Sequence, residues 1–198
     1  DNHQAVALYQ SRGFVPSWLT QTRFQRPAPK TGKASGAILI ETNGAETAVD
    51  LEPLWLSLHH HHQAVSPHLG PWVNDQLSWG VIRDLLAKSA SNGLLFVAKE
   101  NGKYLGLASV AIYNRKDIPN WSDTWMIDEQ VAETKFLVVS AEARGRGIGS
   151  ALMDAVDREL ATRNVRDHLI GAIEPNRSAI GFYESRGFRP AWLEMVKL

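Results

Sequence analysis

The alternation of apolar and polar positions along the 198-residue chain separates short strand-like runs from segments with helical spacing. Leu94 to Lys99 and Tyr104 to Ile112 read as strands, and the Asn-Gly pair in Glu100-Asn-Gly-Lys103 between them is a strong hairpin signal. Thr134 to Ser140 is β-branched and apolar enough for a buried strand. Ile148, Leu152, Val156 and Leu160 then recur every fourth residue, which predicts an amphipathic helix. Glu46 to Ala64 predicts one or two helices, and Asn74 to Ala90 another. Strands are expected at Ala37 to Thr42, His168 to Ile173 and Arg189 to Val196. Asn176 after Pro175 is a helix cap, and Gly187 suits the left-handed position that ends the helix between them. From residue 37 onward the order is therefore β-α-α-β-β-β-α-β-α-β.

The end of this pattern also stands at the start of the chain. Asn2 to Leu19 aligns without gaps to Asn176 to Leu193, sharing the Tyr-x-Ser-Arg-Gly-Phe core and the later Pro and Trp-Leu positions. Residues 1–26 thus read as the last helix and strand of a preceding domain, and 27–36 as a proline- and glycine-containing linker. Residues 37–198 form the domain proper. A lone helix-strand unit cannot bury its apolar side, so Val6, Leu8, Tyr9 and Trp18 are expected to pack on this domain or on a neighbouring chain, as in a homodimer.

The junction between the Thr134 strand and the following helix carries the candidate chemistry. It reads Arg144-Gly-Arg-Gly-Ile-Gly-Ser150. Gly145, Gly147 and Gly149 clear side chains from converging backbone N–H groups, Arg144 and Arg146 add charge, and a helix N-terminus points its unpaired amides at the same place. A pyrophosphate fits that description. No Gly-Lys-Ser/Thr closes a P-loop. A dinucleotide fingerprint is nearly met by Gly145, Gly147 and Ser150, but only about fifty residues follow, too few for a second nucleotide-binding half. The pattern Q/R-x-x-G-x-G/A is met in full by Arg144, Gly147 and Gly149. The segment resembles the coenzyme A motif of the GCN5-related N-acetyltransferases, and Asn176 to Phe188 is similar to that family's N-x-x-A-x-x-F/L-Y-x-x-x-G-F.

The resemblance implies an α/β fold, a central mixed sheet flanked by helices, in which the strand before the glycine turn splays from the next parallel strand. It implies acetyl-CoA as cosubstrate and a primary amine as acceptor. Backbone groups of Leu137, Val138 and Val139 would hold the pantetheine arm, and the amides of Arg144, Gly145, Arg146, Gly147, Ile148, Gly149 and Ser150 the pyrophosphate. Asn176 would cap its helix and also touch the arm. Glu133 stands where relatives keep a catalytic glutamate, and a carboxylate there could take the amine's proton. Asp128 and Glu129 in the acidic stretch after Asp123 are its substitutes. Tyr183 occupies the family's tyrosine position and would protonate the departing thiolate. A non-catalytic acyl-CoA-binding module of a tandem protein is the alternative, and it differs only at Glu133 and Tyr183.

Composition narrows the classes further. Lysine and arginine balance aspartate and glutamate at 21 each, which offers no general attraction to nucleic acid. No run approaches a membrane span. The absence of cysteine excludes disulfides and a cysteine acyl-enzyme and fits the cytoplasm. His59-His-His-His62 is not expected to bind metal: successive helical residues diverge, only His59 and His62 share a face, and a solvated or substrate-facing helix surface is the simpler reading. Trp55, Trp72 and Trp79 are expected in the core, whereas Trp121 and Trp125 are placed near an acceptor pocket.

Overall fold

A computed structural model describes residues 2–24, 38–42, 44–70, 72–92, 94–117 and 129–197. The first helix, α1 (His3–Ser11), leads through Gly13 into β1 (Phe14–Arg23). Then come β2 (Leu39–Thr42), α2 (Glu52–Val65) and α3 (Asp75–Ser91). The hairpin β3 (Leu95–Glu100) and β4 (Lys103–Asn114) follows, turning at Asn101 and Gly102, both with positive φ. Next are β5 (Gln130–Val139), α4 (Ile148–Thr162), β6 (Asp167–Ile173), α5 (Arg177–Ser185) and β7 (Arg189–Lys197). Asn2, Asn74 and Asn176 cap α1, α3 and α5 by accepting from the backbone N–H of Ala5, Leu77 and Ala179. The segment expected to be helical from Glu46 begins instead as a 3-10 turn, Ala45–Leu51, and becomes an α-helix only where Pro53 fixes the backbone of the first turn. The strand expected from Thr134 starts earlier, at Gln130, where it already pairs with Asn114.

These strands make one seven-stranded mixed sheet in the order β2-β3-β4-β5-β6-β1-β7. Among the described strands only β5 and β6 run parallel. One face is covered by α4, whose Ile148, Leu152 and Val156 meet Phe96, Ala108 and Ala132, and by α5, whose Ile180 and Tyr183 meet Ile170 and Phe188. The other face is covered by α2 and α3, through Leu54, Trp55, Trp79 and Leu86 against Leu95, Val97 and Leu107. Alternation along the strands feeds both layers, because successive residues point to opposite sides. Trp55 and Trp79 are core residues and Trp72 is half-buried.

The N-terminal strand is internal to this sheet: β1 lies between β6 and β7, antiparallel to both. Its anchoring is ionic as well as hydrogen-bonded. Arg23 is buried, pairs with Asp157 of α4, stacks over Phe188 and donates to the backbone oxygen of Arg186. Arg186 in turn bonds Asp154 at 2.6 Å and Asp157 at 3.1 Å. The Arg23 guanidinium also reaches His168 Nδ1 at 3.3 Å, which makes that nitrogen an acceptor. The ring proton is then on Nε2, 2.8 Å from Thr134 Oγ1. Burial, followed by the neighbouring Arg23 and Arg186 cations, holds the His168 pKa well below its ordinary value.

The remaining expectations for the N-terminal unit divide. Trp18 packs its indole over Gly171 of β6 and meets His62 edge-on. By contrast α1 has no buried residue, and Leu8 and Tyr9 remain 52% and 48% exposed. The linker, Trp121, Trp125 and Asp128 lie outside the described residues, so the acceptor-side expectations attached to them fall there too.

Candidate active site

The parallel ladder between β5 and β6 is short, running from Val131↔Asp167 to Thr134↔Ile170 and no further. Beyond it β5 carries a bulge: Ser109 faces Phe136 and Val110 faces Thr134, leaving Lys135 as the extra residue. Phe136 to Val139 therefore diverge from β6. A cleft of about 420 Å³ opens there, with Leu137, Val138 and Val139 on one wall and Asn176, Ala179, Phe182 and Tyr183 on the other. Its floor is the turn into α4.

That turn leaves backbone amides open to the cleft, an arrangement that can seat an anion. Gly145 and Gly147 have φ of 77° and 79°, a region that costs a side-chain-bearing residue about 1–2 kcal/mol. Gly147 is the N-cap of α4, and the first α-helical bond runs from Ala151 N–H to its carbonyl, so the amides of Ile148, Gly149 and Ser150 precede the ladder. Arg144, Gly145, Gly147, Ile148, Gly149 and Ser150 all line the cleft. Gly149 acts by size. A Cβ there would sit 3.7 Å from Phe182 and 3.8 Å from Val139, which the fold tolerates but which would fill space between the walls.

The structure does not bring every expected residue to this place. Arg146 points away and forms a two-pronged pair with Glu100 at 2.5 and 3.1 Å, which draws the Glu100 pKa down and its own up. Its guanidinium thus ties the turn to β3, while its backbone amide stays within the turn. Glu133 is not a lining residue either. It is half-buried on β5 and bonded to Lys135 at 3.0 Å. Burial opposes the Lys135 charge, but Glu133 and then Tyr113 outweigh it and raise the ammonium pKa. Glu129 is exposed just before β5. Asn176 does line the cleft while capping α5 at 3.2 Å to Ala179. Tyr183 lines it as well, almost fully buried, and burial pushes its phenol pKa up, which keeps it protonated and able to donate.

Ala143, Ser178, Ala179 and Phe182 line the cleft beside the expected residues, and from outside the two motifs come Leu58 and His61 of α2. Their i, i+3 spacing places them on one helical face, which is the available signal. The histidine run, expected as a solvated or substrate-facing surface, divides, with His61 facing the cleft. His59 is buried and donates Nε2–H to the carbonyl of Val73 at 3.0 Å, and within the run only His60 is exposed, near Asp75 at 2.9 Å. His62 has its pKa lowered to about 4 by burial and then by His61 and His59. Among the described residues no group of three or more His, Cys, Asp or Glu is arranged to hold a metal ion, and no helix is long and apolar enough to cross a membrane.

A splayed parallel pair ending on a glycine-turned helix is the point at which comparison becomes decisive. The model of the acetyltransferase (GNAT) family matches residues 55–188. The chain belongs to this family. Its members transfer an acyl group from acetyl-CoA to an amine. An uncharacterized N-acetyltransferase of Methanocaldococcus jannaschii is 30% identical over 131 residues, 64% of this chain and 51% of that protein. The chain thus spans about half the length of that curated relative. A GCN5-related N-acetyltransferase from Ralstonia eutropha superposes with a TM-score of 0.60 at 18% identity, covering 82% of this chain and 98% of that one. A predicted acetyltransferase from Clostridium acetobutylicum solved with acetyl-CoA gives 0.55 at 18% identity, over 79% and 94%. At such identities the structural likeness establishes the GNAT fold.

Proposed function

We propose that the cleft binds acetyl-CoA and that the chain transfers its acetyl group directly to a primary amine. The observation that carries this reading is the coincidence of the β5–β6 splay with the Gly147-capped N-terminus of α4, both lining one cavity. The edge of Leu137, Val138 and Val139 supplies strand groups for an amide-bearing arm. The amides of Gly145 to Ser150, with Arg144, supply the seat for a diphosphate. The residues present fit the cosubstrate. When bound, it supplies an activated thioester, and a strand amide beside the bulge would donate to the oxygen on which charge develops.

Tyr183 holds a proton inside the cleft and delivers it to the sulfur of the departing thiolate, so that the phenol rather than water completes the exchange. Proton removal from the amine falls to Glu133 directly or through water. Calorimetry with coenzyme A and acetyl-CoA, followed by a thiol-release assay against peptides, polyamines, amino sugars and antibiotics, tests the proposal. No heat at millimolar coenzyme would end it. A second reading, an acyl-CoA-binding module without turnover, draws on one observation: Glu133 is committed to Lys135 and does not line the cleft. Coenzyme binding without thiol release on any amine would favour the module.

A further inference from the structure

The two copies of the repeated helix-strand unit are related in space as well as in sequence. In the β1–β7 ladder Leu19 faces Leu193, its own repeat equivalent, so a local two-fold axis passes between them. Every other pair obeys that axis. Phe14 faces Lys197, and their equivalents, Phe188 and Arg23, meet at the opposite end with the Arg23 guanidinium 4.5 Å over the Phe188 ring. The irregularities obey it too: the extra residue is Ser17 on β1 and its equivalent Ala191 on β7. A pairing whose very bulges are symmetric is an isologous interface between like elements.

The surroundings break the symmetry. β1 has β6 on its other side, whereas β7 is the edge of the described sheet. Trp18 lies over Gly171 of β6, whereas its equivalent Trp192 is 42% exposed. On α5, Ile180 and Tyr183 are buried against Met153 and Ile170, whereas their equivalents on α1, Val6 and Tyr9, cover nothing comparable. The edge of β7, the face of Trp192 and the apolar side of α1 all lie where the axis would place a second β6 and a second α4.

We infer that this surface is covered by the body of a second acyltransferase-fold domain, lying upstream in the natural polypeptide and having residues 2–23 as its own last helix and strand. The two domains then exchange closing strands across the axis, and the sheet runs continuously through both. Another copy of this chain is a poor occupant, because its β6 is already paired on both sides, with β5 and β1. The chemistry of the partner follows from the equivalences. It carries a glycine where Trp192 would lie, as Gly171 does for Trp18. It also carries a carboxylate on its α4 counterpart to meet Lys197, as Asp157 meets Arg23.

The test compares residues 1–198 with the natural polypeptide extended to its own start, by sequence and by amide hydrogen exchange. Expected is an upstream domain ending in a β6-like strand just before Asp1, with α1 and β7 amides slowed at least about tenfold in the longer chain. Tyr9→Glu should leave exchange in residues 1–198 unchanged and abolish the added α1 protection in the longer chain. A natural start at Asp1, an upstream domain without added protection, or full α1 protection in the Tyr9→Glu long chain overturns the inference. So does concentration-dependent dimerisation of residues 1–198 that protects these same amides, since the occupant is then a second copy.

Discussion

Two side chains make separable predictions, one about turnover and one about stability. Tyr183 is buried against Met153, Ile180 and Phe188, so Tyr183→Phe removes a hydroxyl without opening a cavity. On the direct-transfer proposal it lowers kcat about ten- to ten-thousand-fold while coenzyme affinity measured by calorimetry stays the same. His62 bears on stability instead. Its folded pKa, near 4, lies below the ordinary value of 6.5, so between those limits the unfolded chain binds the extra proton. Stability therefore rises with pH through this window and is lost on acidification, and the buried His168, lowered by its own burial and by two arginines, acts in the same direction. The His62 share is on the order of 2 kcal/mol once screening of a partly exposed ring is allowed for. Thermal melts between pH 7 and 4 should show it, and His62→Gln should flatten the slope by up to one proton.

At the scale of elements, the glycine turn and the β1 anchor make opposite kinds of prediction. Gly147→Ala puts a Cβ on a left-handed N-cap, so it should cost about 1–2 kcal/mol in denaturant melts and weaken coenzyme binding, while Gly149→Ala should leave stability nearly unchanged and affect binding alone. Arg23→Ala removes one of the two buried arginines that pair with Asp157, along with the cation over Phe188, and should destabilise the chain by about 2–3 kcal/mol. Much of this is legible in the sequence. The Arg144-Gly-Arg-Gly-Ile-Gly spacing locates the glycine turn that caps α4, and the Asn176 to Phe188 block locates both the cap of α5 and Tyr183. Spacing does not reveal that the Arg146 side chain pairs with Glu100, a contact 46 positions away in the chain. Helical periodicity does not show that His59 is buried, because Trp72 and the Val73 carbonyl, which meet its ring, lie outside the helix.

For the molecule as a whole, the insertion of β1 between β6 and β7 makes the N-terminal segment a structural necessity of this chain. Deleting residues 1–24 leaves β6 with an open edge and separates β7 from its only neighbour among the described strands. The expected outcome is loss of the cooperative melt and a shift to aggregates in size-exclusion chromatography. The sequence repeat points to kinship between the two units, but not to their pairing, because strand partners so far apart leave no trace in local pattern.

That placement also sets a timetable for synthesis. Trp18 must find Ile173, yet the ribosome releases the first long before the second. At about 5–20 residues per second the interval is roughly ten to thirty seconds, during which a sticky ten-residue ribbon has no home in this fold. Slow, late closure of the sheet is the kinetic signature to expect.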